Sequence, residues 1–432
     1  MSTLALTGGR ILRPDLTVDR ADVLVDQETG KIAEIGPDLA DAADETMDAT
    51  NSLITPGFVN GHCHVAMTLL RGYADDKPLD AWLSEDIWPA EAELTPEAIE
   101  AGAELGLLEM IRAGTTGFAD MYFSMERVAD AVERAGLRAR LGHGVISVGK
   151  EHEAAREDAE TGLAFAREYD GAAEGRIRTA FMPHSLTTVS TEIYEEYVPK
   201  ARELDVPIHL HANETADEVT PIVDEHGVRP LAYARDLGLL EPQDFLAHGV
   251  HVDETEIELL AETDASVVHC PASNMKLASG MAPVQTLRDA GVTVGLGTDG
   301  AASNNDLSLL DEARDAAMVG KLAADDAAAV AADTVVELAT TGSAEAIGLP
   351  AGRLEPGAPA DLAVVDLTGA HLTPAHDLVS HLAYAAAASD VRHTICDGRV
   401  LMRDREVLTL DANDVRERAT AEATALVERA EA

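Results

Sequence analysis

Gly61-His62-Cys63-His64 is the sharpest chemical signal in the 432-residue chain. Side chains two apart on a strand point the same way, so His62 and His64 can reach one ion while Cys63 points away. Neutral imidazole suits Zn²⁺ or Fe²⁺. Two distant segments offer partners, His211-x-x-Glu214 and Thr298-Asp299. With His211 as third ligand and Asp299 as fourth, a position stays open for water, which is the plan of a catalytic site. A structural zinc would close its coordination and use Cys more often, yet Cys63, Cys270 and Cys396 are widely spaced and form no C-x-x-C. Glu214, three residues past His211, can sit beside the ion without ligating it. That position suits a proton carrier.

These residues must be brought together by the elements that carry them. Eight apolar strand candidates run through the middle of the chain, at 57–64, 115–121, 137–145, 177–185, 206–214, 244–252, 265–273 and 293–300. Helical stretches separate most of them, among them 96–113, 124–135, 153–169, 191–204 and 284–290. Eight strand–helix repeats predict an α/β fold, a (β/α)₈ TIM barrel over 56–354. The runner-up is an open doubly wound sheet. Residues 1–55 and 355–410 read as short strands and turns, with Asp397-Gly398 as a hairpin signal. They predict one small β-sandwich domain assembled from both termini. Residues 411–432 read as a helix.

Barrel chemistry sits where strands end. Nine histidines fall at those ends: His62, His64, His143, His184, His209, His211, His248, His251 and His269. A single histidine there is ordinarily a core residue. Nine from six different strands are hard to explain by packing, because a buried imidazole needs a partner.

The segments Pro56-Gly57-Phe58-Val59-Asn60-Gly61-His62-Cys63-His64, His211-Ala212-Asn213-Glu214-Thr215, His248-Gly249, His269-Cys270-Pro271-Ala272-Ser273-Asn274 and Gly297-Thr298-Asp299-Gly300 resemble the amidohydrolase superfamily. The resemblance covers nearly the whole chain. The nearest subgroup is similar to the S-adenosylhomocysteine/5′-methylthioadenosine deaminases, with guanine deaminases and triazine hydrolases as near relatives. It implies hydrolytic removal of the 6-amino group of an adenine nucleoside. By position it adds Glu91, His184 and Trp82 as substrate contacts. Glu91 would grip a ribose diol, His184 would hydrogen-bond the substrate, and Trp82 would offer a ring face. Asp299 would ligate the metal and accept a hydrogen bond from the attacking water. His248 would hold that water or help deprotonate it, and Glu214 would move protons to the ring and the leaving amine. Two-metal barrels of the superfamily usually carry a bridging Lys at the end of strand four. His184 stands there, so one divalent ion is expected, zinc or alternatively iron. His143 and Lys150 follow strand three, where they could meet a substrate carboxylate. His209, His251 and His269 are expected to support rather than ligate.

Composition narrows the field. Acids outnumber bases by 78 to 32, a formal charge of −46, and Lys occurs at only six positions. Binding to nucleic acid or anionic lipid is excluded as the main task, since both need clustered Lys and Arg. So large a like charge predicts a salt-rich cytoplasm, because molar salt shortens the Debye length to about 3 Å. No signal peptide or apolar membrane run is read, so a cytoplasmic protein is expected, with a small nucleoside as partner and a homo-oligomer allowed. Gly295-Leu296-Gly297-Thr298-Asp299-Gly300 formally matches a dinucleotide fingerprint, but Asp299 would face the pyrophosphate with like charge. Gly144 to Lys150 nearly spells a P-loop, with Glu151 where a hydroxyl is required. Two rival readings stay open: an aminohydrolase or chlorohydrolase of another ring (guanine, cytosine, triazine), and a non-catalytic binder on the same scaffold. Mere binding has no need of a proton carrier at Glu214.

Overall fold

In the computed structural model of the protein, residues 2–431 are described. Residues 1 and 432, which belong to the terminal ranges predicted above, lie outside them.

The eight apolar runs form eight parallel strands. β1 is Phe58–His64, β2 Thr115–Tyr122 and β3 Arg138–Val145. β4 comes in two pieces, Ile177–Thr179 and Met182–Pro183. β5 is His209–Ala212, β6 Phe245–His248 and β7 Ser266–His269. β8 is again split, into Val294–Leu296 and Asp299–Gly300. Pairing runs β1 to β4 and β5 to β8 in order. Two single bridges, Phe181↔Ile208 and Ser185↔His211, join β4 to β5. The second piece of β8 returns to β1, pairing Asp299 with Cys63 and Gly300 with His64. The pairing is therefore cyclic, and the α/β barrel expected from the repeats is present. The split in β8 has a local cause. A Cβ at Gly297 would lie 2.8 Å from the His62 backbone nitrogen, so only glycine lets the two strands approach so closely.

The two ends of the chain share two further sheets. One has four strands, in the order Lys31–Gly36, Asp22–Asp26, Thr3–Thr7, Glu45–Asp48. The other has seven strands and mixes Leu362–Asp366, Val391–Cys396 and Arg399–Arg403 with Ser52–Pro56 and Arg10–Leu12. Leu4, Leu6, Val23, Val25, Ile54, Leu362, Val364 and Ile395 fill the space between the sheets. This sandwich abuts the start of the barrel strands. Arg138 reaches Asp361 at 2.7 Å and Asp397 at 2.5 Å, and the Thr394 hydroxyl donates to the Ile111 carbonyl. The opposite ends of the strands stay open. The helix Ala412–Ala430 packs on the barrel helix Pro96–Arg112, where buried Glu104 meets Arg134 at 2.7 Å and also Arg418.

Among the described residues no helix is long and apolar enough to cross a membrane. The net charge of −46 leaves most carboxylates without a cationic partner. A melting series from low to molar KCl should raise the midpoint by about 10 °C or more, because salt removes the repulsion that weakens the compact state. A midpoint insensitive to KCl would dismiss the halophilic reading.

Candidate active site

The open ends of the strands meet at one cluster. His62, His64, His211 and Asp299 each offer an atom, all within 4.8 Å of one another. Asp299 Oδ1 stands 3.1 Å from His64 Nε2 and 3.5 Å from His62 Nε2. His64 and His211 approach through their Nε2 atoms at 3.3 Å.

Hydrogen bonding settles what these rings present. His64 Nδ1 lies 2.6 Å from the Met121 carbonyl and His211 Nδ1 lies 2.8 Å from the His184 carbonyl. A carbonyl only accepts, so both Nδ1 atoms carry a hydrogen and each Nε2 is the atom that faces the cluster. For His62 the same result arrives through a relay. His209 Nδ1 donates to the Phe245 carbonyl at 2.8 Å, which makes its Nε2 an acceptor for the His62 Nδ1 hydrogen, also at 2.8 Å. Burial holds both rings neutral, pushing His62 down to about 4 and His209 well below the usual histidine range. His62 Nε2 is then a fully buried lone pair with no partner in the protein. An orphan of that kind costs about 1–3 kcal/mol unless a ligand meets it. At His64 burial disfavours charge, but the Asp299 carboxylate outweighs it and lifts the ring to about 9. The cluster thus attracts positive charge to one point, and its donor set fits a divalent cation.

Asp299 is held for this task. Its Oδ2 accepts from the Ser273 hydroxyl at 2.6 Å and the Ser303 hydroxyl at 2.8 Å, leaving Oδ1 for the cluster. Its φ is +59°, and Asn213 and His248 also sit in the left-handed region at +54° and +76°. Non-glycine residues adopt such backbone at a cost of about 1–3 kcal/mol each, and they gather where a site demands a particular aim.

The left-handed turn at Asn213 ends β5 and turns the chain into Glu214. Ser279 donates to Glu214 Oε1 at 3.1 Å, and the His251 ring in turn donates to the Ser279 carbonyl at 2.7 Å. Burial, then the Asp299 charge, pushes Glu214 up to about 8, so it carries its proton at neutral pH. His248 Nε2 stands 3.6 Å from Glu214 Oε2. Asn274 donates to His248 Nδ1 at 3.0 Å, which leaves the hydrogen on Nε2, buried and without a partner.

A cavity of about 460 Å³ opens above the cluster, large enough for a nucleoside. His64, His184, His211, Glu214, His248 and Asp299 are part of its polar lining, and Glu91 and Trp82 line it too. Trp82 is nearly buried, and its Nε1 donates to the Ala74 carbonyl at 3.1 Å. His184 Nδ1 is engaged by the Thr188 hydroxyl at 2.9 Å, leaving Nε2 free of it. His143 and Lys150 do not join the lining. Asp158 holds them both, at 2.9 and 2.8 Å. Of the expected supports, His209 and His251 act as described, while His269 is buried with neither ring nitrogen partnered.

Several members have no signal in the sequence. Tyr122 donates to Glu91 Oε1 at 2.6 Å, and Trp88 and Phe123 add apolar wall. The segment from Val65 to Glu91 carries Trp82, Trp88 and Glu91 on a 3₁₀ helix (Val65–Leu70), two short α turns and a π turn (Leu83–Ile87). Lys276 pins it to the rest of the mouth, 2.5 Å from Asp75 and 3.1 Å from the Ala302 carbonyl.

The relay through His209 makes a prediction. His209→Phe retains stacking on Phe245, whose ring centroid is 4.1 Å away, but removes the acceptor that orients His62. Metal affinity, read by competition with a chelator, should fall about 10–100-fold. An unchanged affinity would show that His62 needs no such orientation.

The model of the amidohydrolase family matches residues 53–401. A 5-methylthioadenosine/S-adenosylhomocysteine deaminase of Haloarcula marismortui is 67% identical over 431 residues, covering 100% of both chains. A 5'-deoxyadenosine deaminase of Methanosarcina mazei is 46% identical over 402 residues, 93% of each chain. Among solved structures, an adenosine deaminase of Xanthomonas campestris with bound zinc superimposes with a TM-score of 0.91 at 36% identity, covering 100% of this chain and 99% of that one. With the family match spanning residues 53–401, and relatives this similar along the whole length, the chain belongs to the amidohydrolase family.

Proposed function

We propose that the protein hydrolyses the 6-amino group of an adenine nucleoside, 5′-methylthioadenosine or S-adenosylhomocysteine, giving the inosine analogue and ammonia. One observation carries the reading: the buried Glu214 carboxyl stands beside a four-donor cluster at the floor of a nucleoside-sized cavity. The names of the relatives at 67% and 46% identity support the substrate class.

His62, His64, His211 and Asp299 would hold one divalent ion, zinc in preference to iron, as the zinc-bound neighbour suggests. When bound, such an ion supplies Lewis acidity and makes water nucleophilic at neutral pH. Asp299 Oδ1 is placed to accept a hydrogen bond from the attacking water and would aim it at C6. Glu214 delivers its proton to N1 of the purine as C6 becomes tetrahedral; of the two protons the attacking water gives up, one passes through Glu214 to the departing amine and the other restores Glu214. His248 donates its Nε2 hydrogen to the oxygen added at C6. Of the two roles open to His248, holding the oxygen fits the Asn274 contact better than removing a proton. Glu91 accepts from the ribose diol, with Tyr122 occupying one lone pair of Oε1 and fixing the carboxylate. His184 and Trp82 complete the substrate contacts.

The chemistry belongs to the barrel, 56–354. The composite sandwich of 1–55 and 355–410 and the helix of 411–432 brace its far end and one flank. A cytoplasmic, metal-dependent enzyme acting on a small molecule is the resulting picture, with self-association compatible.

The test is ammonia release in high-salt buffer from S-adenosylhomocysteine, 5′-methylthioadenosine, adenosine, 5′-deoxyadenosine, guanine and cytosine. Release from the adenine nucleosides and not from the free bases is expected. Release from guanine or cytosine alone would favour the reading as a deaminase of another ring, which the Tyr122–Glu91 pair speaks against because a bare base has no diol.

A further inference from the structure

The outer cavity has an uneven charge. Besides Glu214, which carries its proton, and Asp299 in the cluster, four acids line the cavity, Asp80, Glu91, Asp217 and Glu218, while no Lys or Arg does so among the described residues. The rest of the outer wall is apolar, including Leu79, Leu83, Trp88, Ile146 and Val148.

The lysines closest along the chain to these lining residues are engaged elsewhere. Lys77 pairs with Glu85 and Asp86, Lys150 with Asp158, and Lys276 with Asp75. Glu218 is itself occupied in building the site, because its carboxylate accepts the Glu214 backbone N–H at 2.8 Å and so supports the proton carrier. A carboxylate brought in on a substrate would lose its water and find apolar wall and like charge. Burying an anion without a partner is among the costliest steps in recognition. An uncharged thioether meets no like charge in that mixed wall, whereas an ammonium can pair with Asp80, Asp217 or Glu218. Molar salt screens exposed rim charges but acts much less on groups enclosed with the substrate.

Resting on the deaminase reading above, we infer that the pocket sorts adenine nucleosides by the charge of the 5′ substituent: neutral thioether or alkyl tails and cationic tails are accepted, and tails carrying a carboxylate are disfavoured. Methylthioadenosine is then a better substrate than S-adenosylhomocysteine, whose amino-acid tail brings a carboxylate with its ammonium.

The experiment compares kcat/KM in molar KCl for four probes that differ only in the tail: 5′-methylthioadenosine, 5′-(2-aminoethylthio)-5′-deoxyadenosine, S-adenosylhomocysteine and 5′-(carboxymethylthio)-5′-deoxyadenosine. The carboxymethylthio probe should fall at least about tenfold below the methylthio probe, with S-adenosylhomocysteine between them and the aminoethylthio probe not impaired. In Val148→Lys, which sets a cation at a half-exposed apolar position of the lining, the ratio of carboxymethylthio to methylthio efficiency should rise at least about threefold. Equal efficiency for the methylthio and carboxymethylthio probes overturns the inference and leaves the deaminase reading standing. A gap that Val148→Lys does not narrow overturns charge as its cause. Failure of all four probes to release ammonia overturns the deaminase reading itself.

Discussion

Glu214→Gln should lower kcat by about 10²–10⁴-fold, the usual worth of a positioned acid–base group, while the protein keeps its metal. Glutamine keeps the shape of the protonated acid and can still accept from Ser279, which lies 3.1 Å from Oε1. What it cannot do is release a proton. Glu214 is not one of the four atoms of the cluster, so metal content should match the unsubstituted protein. The direction of the pH effect follows from the same residue. Burial, reinforced by the Asp299 charge, pushes Glu214 up to about 8. Its protonated form fills at lower pH and empties as pH rises through that value. Turnover that needs the proton should therefore show a falling alkaline limb at or below about pH 8, and Glu214→Gln should remove that limb from whatever activity survives. Metal analysis beside steady-state kinetics checks both parts. Turnover within tenfold of the unsubstituted protein would take the proton carrier away from Glu214.

Which residues of the site are legible in the sequence depends on distance along the chain. His62 and His64 were legible because a strand repeats every two residues, and the apolar runs that carry them are long enough to stand out. The pairing of β8 with β1 was legible only as a consequence of barrel closure, and it is this pairing that sets Asp299 against His64. The groups that hold Asp299 had no such signal. Ser273 lies 26 residues before it and Ser303 four after, at no spacing that marks a contact. Tyr122 behind Glu91 is similar, since its hydroxyl crosses from β2 to a different segment. The strap between Val65 and Glu91 is built from 3₁₀ and π turns, whose side chains repeat at neither 2.0 nor 3.6 residues. The edge strand Glu45–Asp48 was silent for another reason: its residues are mostly polar and all but Met47 face water.

Asp299→Asn should produce a different signature from Glu214→Gln, and the contrast between two carboxylates is the sharper test. Burial opposes a charge on Asp299, but contacts with His62 and His64 prevail and hold it well below the usual carboxylate range. It is ionised at every working pH, so asparagine removes a full negative charge from the cluster. The amide oxygen can still accept from Ser273 and Ser303, which keeps the strand end in place and the fold intact. Metal affinity should fall by at least about 10²-fold, beyond the 10–100-fold typical of groups that only orient a ligand. Turnover should fall with it by about 10³-fold or more, since on the proposed reading the same oxygen would both anchor the cation and aim the water. Chelator competition, melting of the metal-free protein and ammonia release separate the cases. Glu214→Gln keeps metal and loses turnover, whereas Asp299→Asn loses both while the metal-free protein still melts cooperatively. An Asp299→Asn protein with full metal content and normal turnover would mean that the cation is held somewhere other than at these four side chains.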